Sequence, residues 1–179
     1  MHSIIEAQQD MRQAYFDGVP GVISSGSAWI VAGIVALLLT PVSGMLTLIF
    51  GGMLIFPVSV VICKMMGRSG KHQKDNPLAS LAIEGTFWML LSIPVAVGAA
   101  MYKIELFFPA MLMVIAGRYL TFNTLYGSKV YWVFSVFLAL SAVALVFLNA
   151  PTYAGGLAGG VMELVFALVI YLRAIKSIK

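Results

Sequence analysis

The chain has 179 residues, of which 61% are hydrophobic and only 10% charged, against roughly 25% charged in soluble domains. So little polar surface cannot cover a globule, and the composition is that of a membrane protein. Six spanning helices of about 20 residues each, with short connections, would use about 120 to 140 residues and leave no room for a soluble catalytic domain.

The net charge of +4 sits in short segments between apolar runs. Membrane topology explains that placement better than nucleic acid does, so no nucleic-acid partner is expected. A single cysteine, Cys63, excludes an internal disulfide, and His2 and His72 stand apart. Neither a metal site nor a cofactor is expected.

Residues 1–17 are polar and mixed in charge (Glu6, Asp10, Arg12, Asp17), with Ile4, Met11 and Tyr15 recurring at helical spacing. This reads as a short amphipathic helix lying at the membrane interface. Acid and glutamine stand where a secretory signal would have a basic start and an apolar core, so the first span is expected to be retained.

Residues 18–179 form one domain of six apolar runs, at roughly 19–39, 43–65, 78–101, 106–126, 130–149 and 155–173. Runs this long and uniformly apolar lack the alternation of barrel strands, so the expected fold is an all-α polytopic bundle. Thr40-Pro41-Val42-Ser43 and Asn149-Ala150-Pro151-Thr152 are tight turns broken by proline, and Tyr102-Lys103-Ile104-Glu105 and Gly127-Ser128-Lys129 are equally short. Adjacent spans are then antiparallel, giving three hairpins. The one longer polar connection, 64–77, carries Lys64, Arg68, Lys71 and Lys74 and reads as a cytoplasmic loop.

Placing the N-terminus inside puts those four with Arg12, Lys129, Arg173, Lys176 and Lys179 on the cytoplasmic side, and leaves only Lys103 outside. Arg118 lies within the fourth span. The positive-inside rule therefore puts both termini in the cytoplasm, with the cell (inner or plasma) membrane as the expected location.

Gly26-Ser27-Ala28-Trp29 in the first span resembles Gly85-Thr86-Phe87-Trp88 in the third. Met53-Leu54-Ile55 follows the first motif at nearly the distance at which Met111-Leu112-Met113 follows the second, and Trp132 opens the fifth span. Either this is a parallel repeat of helix pairs, or it reflects how common Trp and Gly are in membrane helices. In overall plan the chain resembles small six-helix bacterial integral membrane proteins of unknown function, including those built from repeated two-helix units. That resemblance is one of layout and implies neither an activity nor functional residues.

Three ionisable residues fall inside spans: Glu84, Arg118 and Glu163. Each costs roughly 2.5–3.5 kcal/mol or more at the bilayer centre unless it finds a partner or water. Counted from the cytoplasmic span ends they lie at depths of about 9, 12 and 15 Å, one shared layer in which they are expected to face one another. Glu84, on the hairpin neighbour, is the expected partner of Arg118, and Glu163 the acid that titrates. Ser80, Glu84, Trp88 and Ser92 recur at spacing four on the third span. Tyr119, Asn123 and Tyr126 make a polar stripe beside Arg118 that would line a cavity open to the cytoplasm. Gly156, Gly160, Glu163 and Ala167 share one side of the sixth span, and Ala28, Ala32 and Ala36 one side of the first, both stripes suited to close helix packing. The first span opens with Pro20, several glycines, and Ser24, Ser25 and Ser27. This reads either as a broken helix with free backbone groups or as a plain helix start. Pro94 is expected to kink the third span.

Eleven methionines raise soft-metal transport, but their scatter and the lack of a cysteine partner favour a filler role. Cys63 reads as filler or as a palmitoylation site. With no nucleophile elbow, HExxH pair, P-loop or aspartyl pair, no enzyme is expected and no catalytic residue is assigned. Two functions remain. One is a small transporter or channel for a small solute or ion, with a proton-titratable carboxylate. The other is a non-transporting scaffold or accessory subunit whose Glu–Arg–Glu network is structural. A homo-oligomer fits either, because six helices enclose little volume.

Overall fold

A computed structural model describes residues 3–178; Met1, His2 and Lys179 lie outside the described residues. The protein is all-α, without strands among the described residues. Its helices are α1 (Ile4–Tyr15), α2 (Val19–Leu38), α3 (Pro41–Met65), α4 (Ala79–Tyr102), α5 (Phe107–Tyr126), α6 (Val130–Phe147) and α7 (Thr152–Ile178). Helices α2 to α7 account for the six stretches long and apolar enough to cross a membrane.

The ends of the helices follow from local chemistry. Ser3 and Glu6 form a reciprocal capping box at the start of α1. Thr40 caps α3 by accepting from the Ser43 amide, with Pro41 in the first turn where its missing N–H costs nothing. Gly127 ends α5 in the left-handed conformation, φ 62°. Both α3 and α4 continue as helix through their internal prolines, Pro57 and Pro94.

The first helix docks on the basic end of the bundle. Its buried side is Ala7, Met11 and Ala14, while Ile4 is 59% exposed, so the stripe read from Ile4 through Met11 to Tyr15 is displaced toward the small residues. The Gln8 amide donates to the Thr124 carbonyl (2.8 Å), and Asn76 donates to the Ala7 carbonyl (3.0 Å) and the Asp10 carboxylate (2.6 Å). The Gly70 amide donates to the Ala14 carbonyl (3.0 Å), and the Tyr15 hydroxyl meets His72 Nδ1 at 2.8 Å. The polar connection between α3 and α4 is thus a folded strap bound to α1.

Phe16, Asp17 and Gly18, with φ of 47°, 54° and 83°, turn the chain sharply from α1 into α2. Two non-glycine residues in this region are strained unless held. The Arg68 guanidinium covers the Phe16 ring at 4.8 Å, and the Tyr131 hydroxyl donates to the Asp17 carbonyl at 2.5 Å. Burial pushes the Asp17 carboxyl above its ordinary range, while the Arg12 and Arg68 guanidiniums act in the other direction.

Within the bundle the most extensive contact joins the first span to the last: α2 and α7 run antiparallel with their backbones nearly touching. A Cβ on Gly156 would lie 2.6 Å from Gly33 Cα, and one on Gly160 would lie 2.8 Å from the Gly26 carbonyl. The pairing of 33 with 156 and of 26 with 160 defines the antiparallel register. Ala32, fully buried, meets the other neighbour: its carbonyl lies 2.8 Å from where a Cβ on Gly44 of α3 would stand. Ala28 is half-buried along the same groove. The α2–α3 and α4–α5 hairpins pack as expected, but α6 leans on α5 more than on α7, and α3 and α4 each rest on one neighbour. The Trp-centred repeat does not extend to burial, since Trp29 is 1% and Trp88 58% exposed.

The seam yields a direct comparison. Gly33→Ala places a methyl against the backbone of Leu157 and Gly156 and is expected to destabilise by about 1–3 kcal/mol, as overpacking does. A Cβ on Gly52 meets nothing within 4 Å, so Gly52→Ala is expected to be neutral or stabilising by up to about 1 kcal/mol. Thermal unfolding in detergent separates the two.

Candidate intramembrane site

Among the described residues, Glu163 is the one acid placed in the core. Gly159 and Gly160, four and three residues before it, bring its face of α7 onto α2, and the side chain is 1% exposed. Gly26 makes the room: a Cβ there would meet Glu163 Cβ at 3.0 Å. The Tyr119 hydroxyl of α5 donates to Glu163 Oε1 at 3.0 Å. Ser25 faces the carboxyl from α2, while Oε2 has no hydrogen-bond partner. The Trp29 indole N–H, in the same seam, is also buried without a partner.

Aromatic rings close the rest. The Tyr119 ring centroid is 4.4 Å from Phe134 and 5.1 Å from Phe122, and Phe134 stacks on Phe166 of α7 at 4.3 Å. Tyr119, Tyr131 and Tyr126 stack in sequence, with centroids 5.9 and 5.7 Å apart, from the carboxyl to the basic end where Tyr131 holds the Asp17 carbonyl.

The three intramembrane charges do not gather. Arg118 precedes Tyr119, and successive helical residues point about 100° apart, so Tyr119 faces α7 while Arg118 faces α4. Its guanidinium donates to Met89 Sδ (3.1 Å) and Thr86 Oγ1 (3.5 Å) and lies 5.6 Å from the Phe122 ring, with Nε buried and unpartnered. No hydrogen bond joins it to either acid among the described residues. Glu84 is exposed on the far side of α4, in line with exposed Ser80 and Trp88, so the expected Glu84–Arg118 pair is absent and the shared layer is not formed. Asn123 is half-buried on α5. The stripe of Gly156 and Gly160 does lie beside Glu163, as does Tyr119. Ser25, Gly26 and Trp29 complete the site. The hydroxyls of the first span were a signal for them, but nothing in the sequence ties the first span to the sixth.

Two open hollows lie elsewhere, on the outer surface. One of about 340 Å³ sits between α4, α5 and α6 and includes Ala99, Pro109 and Val143. Another, of about 240 Å³, sits between α2 and α3 and is edged by Ser24, Ser27 and Thr47. Among the described residues no group of three or more His, Cys, Asp or Glu could hold a metal ion.

The helices define a multi-pass integral membrane protein of six spans. A family model matches residues 4–173, and the chain belongs to that family, DUF7010, a family of unknown function. Comparison with curated proteins and with solved structures finds no match.

Tyr119→Phe removes the hydroxyl that donates to Glu163 Oε1 and is expected to cost about 1–3 kcal/mol. Glu163→Gln keeps an oxygen for the Tyr119 hydroxyl and is expected to cost less. A Tyr119→Phe variant that melts like wild type would show that the Tyr119 bond contributes nothing to stability.

Proposed function

We propose that the protein is a small transporter or channel-like protein for a small solute or ion, coupled to a proton carried by Glu163, and that it is not an enzyme. The observation that carries this reading is the half-satisfied carboxyl. An ionisable group buried at membrane depth is costly and is retained where it serves a pathway, and Glu163 has one oxygen held and one free. The free oxygen is the position for a proton or for a polar group of the solute. The stacked tyrosines lead from it toward the basic end, and the glycine seam between α2 and α7 brings the two backbones together beside it. On this reading the arrangement is an occluded state.

A non-transporting scaffold is the second reading, favoured by the close packing around Glu163. The family assignment supports either equally.

Thermal stabilisation of the purified protein by a panel of inorganic ions, amino acids and sugars, at pH 6 and pH 8, separates the readings, because a ligand stabilises the state it binds by mass action. The expected result is a pH-dependent hit whose uptake into liposomes moves protons in wild type and not in Glu163→Gln. No hit, together with no proton movement under an imposed potential, would leave the scaffold.

The orientation proposed with this function places both termini and the 66–78 connection in the cytoplasm of a cell (inner or plasma) membrane, from the Lys and Arg distribution. With Cys63 replaced by alanine, Ser69→Cys is expected to react with a membrane-impermeant thiol reagent only in inverted vesicles. Labelling from the outside of intact cells would reverse the topology.

A further inference from the structure

Arg118 carries its charge inside a span and, among the described residues, meets no carboxylate. Gly85 of α4 lies beside Thr121 and the Arg118 stem, and the Trp88 indole lies beside Gly117. This register sets the guanidinium level with Thr86 and Met89, about 10–15 Å along α4 from its first residue. It does not snorkel to the basic end: side chains lean toward the N-terminus of their helix, and α5 begins at the opposite end. The charge is therefore held at hydrocarbon depth.

The surrounding groups do not neutralise it. Met89 offers a sulfur at 3.1 Å, Thr86 a hydroxyl oxygen at 3.5 Å and Phe122 a ring at 5.6 Å, while the Nε–H is buried without an acceptor. The hydroxyl protons of Thr86 and Thr121 are spent on the carbonyls of Ala82 and Arg118. Glu163 is held by Tyr119 on the next face of α5, and Glu84, two residues before Thr86, points about 200° away from it around α4. The groove is open, because among the spanning helices α4 packs chiefly on α5, and Thr86, Met89, Arg118 and Phe122 all keep partial exposure.

An unpaired charge at this depth is costly, and each terminal nitrogen of the guanidinium keeps a second N–H beyond the bonds described. A phosphate or carboxylate brings the missing charge and takes two guanidinium N–H groups at once. We propose that Arg118, in the open groove between α4 and α5, binds an oxyanion: a phosphate or carboxylate group carried by a lipid headgroup or by a soluble anion. Thr86 and Met89 hold the two terminal nitrogens in place, and the remaining N–H groups take the anion. The site lies on a different face of α5 from Glu163 and does not depend on whether that carboxyl serves transport.

Two binding measurements on delipidated protein in neutral detergent test the proposal and separate the sources. In one, sodium phosphate or acetate replaces sodium chloride at constant ionic strength, and thermal stabilisation is followed as a titration. In the other, phosphatidylglycerol is added and retained lipid is counted by native mass spectrometry. Saturable binding is expected in at least one arm, the first marking a soluble anion and the second a headgroup. In the arm that binds, Arg118→Met is expected to lower the affinity about tenfold or more. Arg118→Lys, which keeps the charge but loses the fork, is expected to lower it less and serves as the second variant should the methionine disturb folding. Lys74→Met, at an exposed position of the strap, is expected to bind as wild type does. No binding by wild type in either arm, undiminished binding by Arg118→Met or by Arg118→Lys, or an equal loss in Lys74→Met would each overturn the site.

Discussion

The close approach of α2 and α7 is the constraint from which the rest of the bundle follows. In a bilayer, helix association has no hydrophobic drive and depends on van der Waals contact and interhelical hydrogen bonds, so the separation of the backbones decides its strength. Gly26, Gly33, Gly156 and Gly160 remove the side chains that would hold these helices apart. Once the two backbones touch, large groups are forced to the flanks. Trp29 lies against Gly159 and the Phe108 ring, and Phe166 turns to Phe134. Glu163, on the same face of α7, is carried into the core with them, and Gly26 is the residue that gives it space. The same residues therefore govern both packing and the chemistry of the site.

Polar groups are distributed by depth. At the basic end, α1 and the 66–78 strap satisfy one another through backbone and side-chain hydrogen bonds, and Arg68 and Tyr131 steady the left-handed turn that enters α2. At the other end, the Lys103 ammonium donates to Asn149 Oδ1 at 3.2 Å and ties two connections together. Between them the hydroxyls of Ser24, Thr86 and Ser92 donate to carbonyls one turn back in their own helices. This is the inexpensive way to carry a hydroxyl through lipid. The groups without such local solutions are few, and Glu163, Arg118 and Trp29 are among them.

The fold was legible because bilayer thickness and backbone satisfaction leave one solution for runs of this length. The spans at 19–39 and 130–149 end within two residues of α2 and α6, and proline and glycine marked the turns. The stripe of Gly156 and Gly160 was legible for the same reason, since small residues four apart have few other uses. What the sequence did not carry was the rotation of each helix. Depth arithmetic put Glu84, Arg118 and Glu163 in one layer. A shared layer is not a shared face, and a turn of about 100° between Arg118 and Tyr119 sent one to α4 and the other to Glu163. Nor could hairpin logic reveal that α7 would choose α2, its most distant span, over α6. Local connection favours neighbours, and the glycine pairs on both helices outweighed it.

The pairing of the first span with the last has a consequence for biosynthesis. Helices enter the membrane in the order they are made, and contacts between distant segments wait for the later one. While α3 to α6 are being inserted, the Gly26–Gly33 groove of α2 has no occupant, whereas the partners of Asp10 and Gln8 in α1 arrive earlier, with the 66–78 strap and the end of α5. Glu163 is delivered with the helix that closes the groove, so the nascent bundle carries no acid in its centre until its final span arrives. The core carboxyl is thus enclosed by the span that is made last.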